Sequence, residues 1–243
     1  MIERGAAIRE GKSKILYEVK GRGDAVIQYF KDDATAFNAQ KRGIIVDKGV
    51  LNNRIASLLF RRLEKEGVRT HFLDQPGDRE MLVRKLEIRP VEVVVRNRAA
   101  GSLVKRLGIE SGKRLSPPLV EYFYKSDPLG DPPIGEGHIL YFRWMTEAEL
   151  AECAAVALRV NRLLEPLFAA IGLDLVDFKL EFGKDASGRV FLADEITPDG
   201  CRLWDQTTGE SQDKDRFRFD KGQVEEAYQR VCRGLEEQLG EAR

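Results

Sequence analysis

Alternating hydrophobic and polar residues predict short strands in the first half of the chain. The runs "SKILYEV" and "AVIQYF" are rich in β-branched and aromatic residues, and the turn-like "KGRGD" separates them. Further along, "MLVRKLEI" and "VEVVVRNR" have the same character and meet at Pro90. The pattern therefore predicts a β-rich N-terminal part.

Apolar residues at helical spacing predict two long helices. The first is "GVLNNRIASLLFRRLEKEG", which lies between the two pairs of strands and has Gly67 as its stop. The second begins at a capping box formed by Thr146 and Glu149 and extends to about Ile171. We expect Pro166 to kink the end of this second helix.

Two stretches between these elements have few regular patterns. Residues 112–137 are rich in proline and glycine and predict an ordered but irregular connector. Residues 207–222 are polar and predict a mobile loop, and a last helix follows Asp220 with Gln223 at its third position. Strands first, then mixed helices and strands, predict an α+β chain with two lobes.

The segment "LVDFKLEFG" carries the most informative alternation. Asp177, Lys179 and Glu181 share one face of a strand, while the aromatic and aliphatic residues between them share the other. A two-residue turn at residues 187–188 would place Glu181 directly opposite Asp194, and like charges at that separation repel. Lys179 is one candidate for the positive charge that would offset the repulsion. A divalent cation such as Mg²⁺ is a better one, because it takes one or two carboxylates together with nucleotide phosphates.

Two alternatives to a metal site stay open at this hairpin. The carboxylates could form the solvated polar face that half-buried strands normally have. A longer turn would also slide Asp194 away from Glu181. The next segment, "ITPDGCRLWDQ", favours a ligand site, because it places Asp199 and Arg202 in a Pro/Gly turn at a strand end.

Basic residues next to glycine suggest anion binding at two places. Lys12 and Lys14 follow a glycine turn into a strand, and could hold phosphates or simply be solvated. In "VRNRAAGSLVKR", Arg96 alternates off an apolar strand, with Gly101 and Ser102 just beyond it. The forked guanidinium group of arginine binds phosphate or carboxylate well, although salt bridges within a loop would also explain arginines at these positions.

Composition and charge narrow the function classes. Of the 243 residues, 42% are hydrophobic and 33% charged, which is typical of a folded globular protein. The net charge of zero argues against a general nucleic-acid or membrane-surface binder, and no stretch is apolar enough to span a bilayer. Three cysteines without a CxxC pattern, and no secretory signal in "MIERGAAIREGK", predict a cytoplasmic location.

Taken together, the motifs resemble the SAICAR synthetase family of purine biosynthesis. The resemblance rests on "LVDFKLEFG", "DEITPDGCRLWD", "EVVVRNRAAGSLVKR", "GKSKILYE" and "DKDRFR", and covers about residues 8–235. It implies a fold related to ATP-grasp enzymes and protein kinases, with a small antiparallel β-rich lobe (residues 1–86) over a larger α/β lobe (residues 87–243). ATP would bind between the two lobes.

The resemblance also implies the reaction. An enzyme of this family is an ATP-dependent carbon–nitrogen ligase that joins carboxyaminoimidazole ribonucleotide (CAIR) to L-aspartate, giving SAICAR, ADP and phosphate. We expect an acyl phosphate intermediate and the cofactors ATP and Mg²⁺. The partners would be these small molecules, and a homodimer is compatible with the family, although the sequence does not identify a pairing surface.

The same resemblance assigns roles to residues of this chain, with the base that deprotonates the aspartate amine left open between Asp177 and Asp199. The assigned roles are ATP binding for Lys12, Lys14, Arg84, Lys85 and Leu86; substrate binding for Arg96, Ser102, Arg202, Lys214 and Arg218; catalysis for Asp177, Lys179 and Asp199; and Mg²⁺ binding for Glu181 and Asp194.

Two other function classes compete with the ligase. A kinase-like phosphotransferase acting on a small phosphorylated metabolite would have the same lobes, but the chain lacks the HRDxxxxN and DFG motifs. A non-catalytic nucleotide- or anion-binding module would bind without turnover. Product analysis distinguishes the three classes.

Overall fold

The structure is a computed structural model, and it describes residues 2–36 and 40–240. Its strands are β1 (Arg4–Glu10), β2 (Lys14–Val19), β3 (Arg22–Phe30), β4 (Asp33–Ala36), β5 (Lys41–Ile44), β6 (Phe72–Gly77), β7 (Glu80–Arg84), β8 (Glu87–Arg98), β9 (Arg114–Tyr124), β10 (Pro133–Ile134), β11 (Leu173–Lys184), β12 (Val190–Ala193) and β13 (Cys201–Asp205). Its α-helices are α1 (Lys48–Lys65), α2 (Ser102–Leu107), α3 (Glu136–Tyr141), α4 (Glu147–Ala170), α5 (Asp215–Arg218) and α6 (Val224–Leu239).

Two antiparallel sheets organise the molecule. The first has the order β1-β2-β3-β7-β6, and the second has the order β10-β9-β8-β11-β12, with β13 also paired to β11. The chain passes from the first sheet to the second at Lys85 and Leu86, between β7 and β8. The mixed α and β architecture with antiparallel sheets confirms the predicted fold class. Whether residues 1–86 and 87–243 act as separate domains stays a prediction.

One hydrophobic core connects the elements on both sides of this passage. The same buried cluster contains Phe30 from β3, Leu59 from α1, Phe178 from β11 and Val231 from α6. Helix α1 contacts strands of the first sheet and also α6, while α4 packs against β8 and β11. Because residues of both sheets belong to one buried core, packing fixes the position of one sheet relative to the other.

The two long helices agree with their sequence patterns. In α1 the apolar stripe is fully buried, and Gly67 has a φ of 75°, the left-handed conformation that favours glycine after a helix. At the start of α4, the backbone N–H of Glu149 donates to Thr146 Oγ1 at 3.2 Å, and the Thr146 N–H donates to Glu149 Oε2 at 2.9 Å. Helix α4 continues past Pro166 to Ala170.

The two irregular stretches were predicted wrongly in part. Within residues 112–137, the eleven residues of β9 form a regular strand paired with β8, because Tyr122 and Phe123 are buried against the core.

Pro90 does not divide two strands. It lies inside β8, and its carbonyl oxygen still accepts the Lys125 N–H at 3.0 Å.

The polar stretch at residues 207–222 is also more ordered than its composition predicts. Asp213 is fully buried, and its two carboxylate oxygens accept the backbone N–H groups of Leu203 and Asp215 at 2.8 and 2.7 Å. These bonds attach the stretch to β13 and lead into α5. Gln223 is the residue before α6, with a φ of 51°, and not its third residue.

Candidate active site

The β11–β12 hairpin has a five-residue loop, so the register predicted for the carboxylates is wrong by one residue. Lys184 pairs with Val190, and Glu181 pairs with Ala193 instead of Asp194. The longer loop is stabilised by Asp185, whose Oδ1 accepts the N–H groups of Ser187 and Arg189 at 2.9 and 3.1 Å. Asp194 therefore lies just beyond β12, with a φ of 65°.

A cleft of about 960 Å³ contains most of the residues expected to act in binding or catalysis. Twelve of the fifteen candidates line it: Lys12, Lys14, Arg96, Ser102, Asp177, Lys179, Glu181, Asp194, Asp199, Arg202, Lys214 and Arg218. The alternation along β11 explains three of them, because Asp177, Lys179 and Glu181 share one face while Leu180 and Phe182 are fully buried.

The remaining three candidates lie at the passage between the two sheets and do not line this cleft. The Arg84 N–H donates to the His71 carbonyl at 2.7 Å, and the Lys85 N–H donates to the Asp24 carbonyl at 2.8 Å. The Arg84 guanidinium stacks over Phe191 at 5.1 Å. Leu86 is close to Gly183, since a Cβ added there would lie 2.9 Å from Leu86 Cβ.

Lysines and carboxylates alternate at the centre of the cleft. Lys179 Nζ lies 2.6 Å from Glu181 Oε1 and 3.7 Å from Asp194 Oδ2, so it connects the two acidic residues despite the shifted register. Lys14 contacts Asp194 and lies 3.0 Å from Glu195 Oε1. Burial would raise the pKa of Asp194, but the Lys14 and Lys179 charges outweigh burial and hold that pKa well below its usual range.

These ammonium groups bear on the predicted magnesium site. Over residues 2–36 and 40–240, no three or more His, Cys, Asp or Glu side chains are grouped as a metal-binding cluster. Glu181 and Asp194 are each ionically paired with lysine. Two carboxylates are still a donor set that suits Mg²⁺ when phosphate oxygens complete its coordination. The cation that offsets their charges in this structure is the lysine ammonium.

An arginine pair forms a second part of the cleft. Asp177 Oδ2 accepts from Arg96 Nη1 at 2.6 Å and from Arg202 Nη1 at 2.8 Å. Arg96 Nη2 also lies 3.4 Å from Ser102 Oγ. Gly101 has a φ of 57°, and a Cβ added there would lie 2.5 Å from Arg202 Nη2. The glycine therefore leaves space for the guanidinium, as expected where a backbone approaches closely.

Asp199 is held by residues from three separate parts of the chain. Its Oδ2 lies 2.7 Å from Lys48 Nζ at the start of α1, and its Oδ1 accepts the Tyr228 hydroxyl of α6 at 2.6 Å. Lys214 Nζ lies 3.8 Å from Asp199 Oδ2. Burial would raise the pKa of Asp199, but the Lys214 and Lys48 charges hold it well below its usual range. Both oxygens are occupied, so Asp199 is a poor base.

The sequence analysis missed several residues of the site. Lys48 and Tyr228 reach Asp199, Lys125 contacts Glu181, and Gln28 Nε2 donates to the Asp194 carbonyl at 3.2 Å. None of them belongs to a local motif. Each is at least 29 residues from its partner, so only the packing of distant elements brings them to the site.

Comparisons with known proteins identify the family of this chain. The family model for SAICAR synthetase matches residues 7–235. The chain belongs to the SAICAR synthetase family. The phosphoribosylaminoimidazole-succinocarboxamide synthase of Novosphingobium aromaticivorans is 59% identical over 237 residues, which cover 96% of this chain and 90% of that protein.

Solved structures of the SAICAR synthetase family have the same fold. The crystal structure of the synthase from Ehrlichia chaffeensis has a TM-score of 0.92 and 48% identity, and covers 95% of this chain and 98% of its own. A SAICAR synthetase in complex with ADP has a TM-score of 0.90 and 45% identity, with 93% and 96% of the two chains covered. Within the residues that the structure describes, no helix is long and apolar enough to cross a membrane.

Proposed function

We propose that this chain is an ATP-dependent carbon–nitrogen ligase that joins the carboxylate of CAIR to the amine of L-aspartate, giving SAICAR, ADP and phosphate in purine biosynthesis. The observation that carries the proposal is one cleft in which the arginine pair, the lysine–carboxylate cluster around Lys179 and the largely buried Lys214 meet. Family membership and the ADP complex of a related synthetase support the use of ATP.

The chemistry explains why the cleft needs these groups. A carboxylate is a poor electrophile, and transfer of the γ-phosphoryl group of ATP would convert it to an acyl phosphate with a good leaving group. The aspartate amine then attacks the carbonyl carbon. Both steps bring anions together, so catalysis depends on positioning and on neutralising charge.

The positions of the residues support a division of roles along the cleft. Lys12 and Lys14, on the turn into β2, would hold the ATP phosphates. Arg96, Ser102 and Arg202 form the part suited to the ribonucleotide phosphate, because guanidinium forks bind phosphate in two-point contacts. Asp177 orients both guanidinium groups by bonding to each.

The acidic pair and its lysine would act where the phosphoryl group moves. Glu181 and Asp194 would hold Mg²⁺ in the nucleotide complex, where the ion would neutralise phosphate charge. Lys179 lies between the two carboxylates and can stabilise the negative charge that develops on the transferred phosphoryl group. For Arg84, Lys85 and Leu86 we propose contact with the adenine, at the passage between the sheets.

Lys214, beside Asp199, and Arg218, paired with Asp215, form another part of the wall, in and next to α5. We assign this region to L-aspartate: Arg218 would pair with one of its carboxylates, and Lys214 would face its amine. The three cysteines are buried and form no disulfide with one another, which fits a reducing compartment, and we place the enzyme in the cytoplasm. A homodimer is the assembly we expect, and light scattering on the purified chain measures it.

Product analysis tests the proposed reaction. With ATP, Mg²⁺, CAIR and L-aspartate we expect SAICAR and equal amounts of ADP and phosphate, and no SAICAR when any one substrate is omitted. A phosphorylated product that accumulates without aspartate addition would favour the phosphotransferase, and binding without turnover would favour a non-catalytic module.

A variant of Glu181 tests the acidic pair. Glu181→Gln removes a charge that we assign to the metal, so turnover should fall about 10²-fold or more. Glu110→Gln, at an exposed position outside the cleft, is the matched control and should retain full activity. Full activity of Glu181→Gln at limiting Mg²⁺ would contradict the role of this carboxylate.

A further inference from the structure

The amine of L-aspartate must lose a proton before it can form an amide, and the cleft has few groups free to take it. Asp177 and Asp199 are the two carboxylates that the sequence offers for this role. Asp177 accepts from Arg96 and Arg202, and Asp199 accepts from Lys48 and Tyr228. Arg202 Nη1 also lies 3.1 Å from Asp177 Oδ1, so each oxygen of these two residues already has a cationic or hydroxyl donor and neither is a good proton acceptor.

The lysines of the cleft differ in how closely they are paired. Four of them have a carboxylate oxygen within 2.7 Å: Lys12, Lys14, Lys125 and Lys179. Lys214 is the exception. Among the described residues, the one carboxylate within 4 Å of its Nζ is Asp199, at 3.8 Å, and that oxygen is already bound to Lys48 at 2.7 Å.

The surroundings of Lys214 disfavour its protonated form. Its side chain is only 13% exposed, and the Lys48 and Arg218 charges lie nearby. Burial lowers the pKa of Lys214 below its ordinary value of 10.5, and these two cations lower it further, while Asp199 and Glu195 act in the opposite direction. In contrast, the Asp194 and Glu195 carboxylates outweigh burial and raise the pKa of Lys14.

The backbone holds Lys214 at a defined place on the cleft wall. Its N–H donates to the Pro198 carbonyl at 3.1 Å, and its own carbonyl accepts the Arg218 N–H at 2.9 Å. The first bond ties it to the residue before Asp199, and the second ties it to α5. A lysine fixed in this way can present its amine to a substrate without a large conformational change.

We propose that Lys214 is the general base for the aspartate amine, an assignment that rests on the ligase function proposed above. The neutral Lys214 amine accepts one proton from the aspartate ammonium, which leaves a neutral amine to attack the carbonyl carbon. As the C–N bond forms, the C–O bond to phosphate breaks, and phosphate leaves with that electron pair and takes up the second proton of the nitrogen. Lys214 leaves this step as an ammonium and returns its proton to solvent.

Rates with two different nucleophiles distinguish a general base from a residue that only binds the substrate. Hydroxylamine is uncharged at neutral pH and attacks an acyl phosphate without a protein base, whereas aspartate enters as an ammonium. With ATP, Mg²⁺ and CAIR, we expect Lys214→Met to form hydroxamate within about threefold of the wild-type rate. With aspartate, its kcat should fall about 10²- to 10⁴-fold while the KM for aspartate stays within about threefold.

Control variants and pH complete the test. Lys221→Met removes a lysine from the same segment, outside the cleft lining, and should behave as wild type in both assays. Lys214→Arg keeps the positive charge but supplies no base, so it should fail with aspartate as Lys214→Met does. The wild-type kcat with aspartate should rise with pH as Lys214 is deprotonated, and the rate with hydroxylamine should lack this rise.

Several outcomes would overturn the assignment. A raised KM for aspartate with unchanged kcat would mean that Lys214 binds a substrate carboxylate. An active Lys214→Arg variant would mean that charge alone matters, and loss of hydroxamate formation in Lys214→Met would place the residue in the first step. If wild-type enzyme forms no hydroxamate and no SAICAR, the proposed ligase function fails independently of Lys214.

Discussion

Lys48, the first residue of α1, places its ammonium 2.7 Å from the carboxylate of Asp199, in the connection between β12 and β13. The side chains are 1% and 6% exposed, so each charge is removed from water and depends on the other. The pair attaches the helix of the N-terminal part to the wall of the cleft.

Loss of this pair should destabilise the whole molecule. Lys48→Met leaves the Asp199 carboxylate buried beside a single hydroxyl and a distant Lys214, and we expect it to lower the free energy of unfolding by about 3–5 kcal/mol. Urea denaturation measures the change. The exposed Lys65 at the end of α1 provides the control, since Lys65→Met should shift stability by less than about 0.5 kcal/mol.

A double variant separates pairing from packing in the same experiment. Lys48→Met combined with Asp199→Asn removes both charges, so it should be less destabilised than the sum of the two single variants. Strict additivity would contradict the idea that the two charges stabilise each other.

Gly101 should be required for the position of Arg202. In Gly101→Ala, the new Cβ would lie 2.5 Å from Arg202 Nη2, so the guanidinium must leave Asp177, and kcat/KM for CAIR should fall about 10- to 100-fold. Gly108 provides the comparison, because its φ is 63° but no atom lies within 4 Å of the added Cβ. Gly108→Ala should therefore cost some stability through backbone strain and leave kcat/KM unchanged.

Asp213 should make stability fall as pH rises. Burial, with the neighbouring Asp215 charge, raises the pKa of Asp213 to about 7, although two backbone N–H groups act in the opposite direction. Between about 3.8 and 7 the folded state holds a proton that the unfolded state has lost, so stability decreases by about 1.4 kcal/mol per pH unit. Asp213→Asn removes this titration.

The wild type and Asp213→Asn should be compared by the slope of the unfolding free energy against pH, and not by their absolute stability. Asparagine replaces one acceptor oxygen with a donor, so the variant should be less stable at every pH. From pH 5 to 6.5 the unfolding free energy of the wild type should fall relative to that of Asp213→Asn. Parallel curves for the two proteins would show that Asp213 is already ionised in this range.

The buried amides of Asn97 and Asn161 should contribute to the attachment of α4. Asn97 Nδ2 donates to Asn161 Oδ1 at 2.8 Å, and Asn161 Nδ2 donates to Asn97 Oδ1 at 2.9 Å. Asn161→Ala leaves the Asn97 oxygen without this donor and should cost about 1–3 kcal/mol in chemical denaturation. The neighbouring Arg162 is exposed, and Arg162→Ala should be close to neutral. Equal effects of the two changes would rule out a special role for the amide pair.

Local patterns in the sequence determined the elements and much of the site's composition. A strand presents alternate residues to opposite faces, so Asp177, Lys179 and Glu181 had to share one face of β11. Capping by Thr146 and the helical spacing of apolar residues likewise predicted α1 and α4, since both signals act over only a few residues.

Only the tertiary structure decided how the charges are compensated. The side chain of Asp185 stabilises a longer loop and moves Asp194 out of register with Glu181, and lysines from distant segments then neutralise both carboxylates. The same holds for Lys48 and Asp199, which are 151 residues apart. Ion pairing depends on distance in space and on burial, and the composition of a segment gives neither. For this reason the polar sequence around Lys214 predicts a solvated loop, whereas packing in the tertiary structure buries most of that side chain.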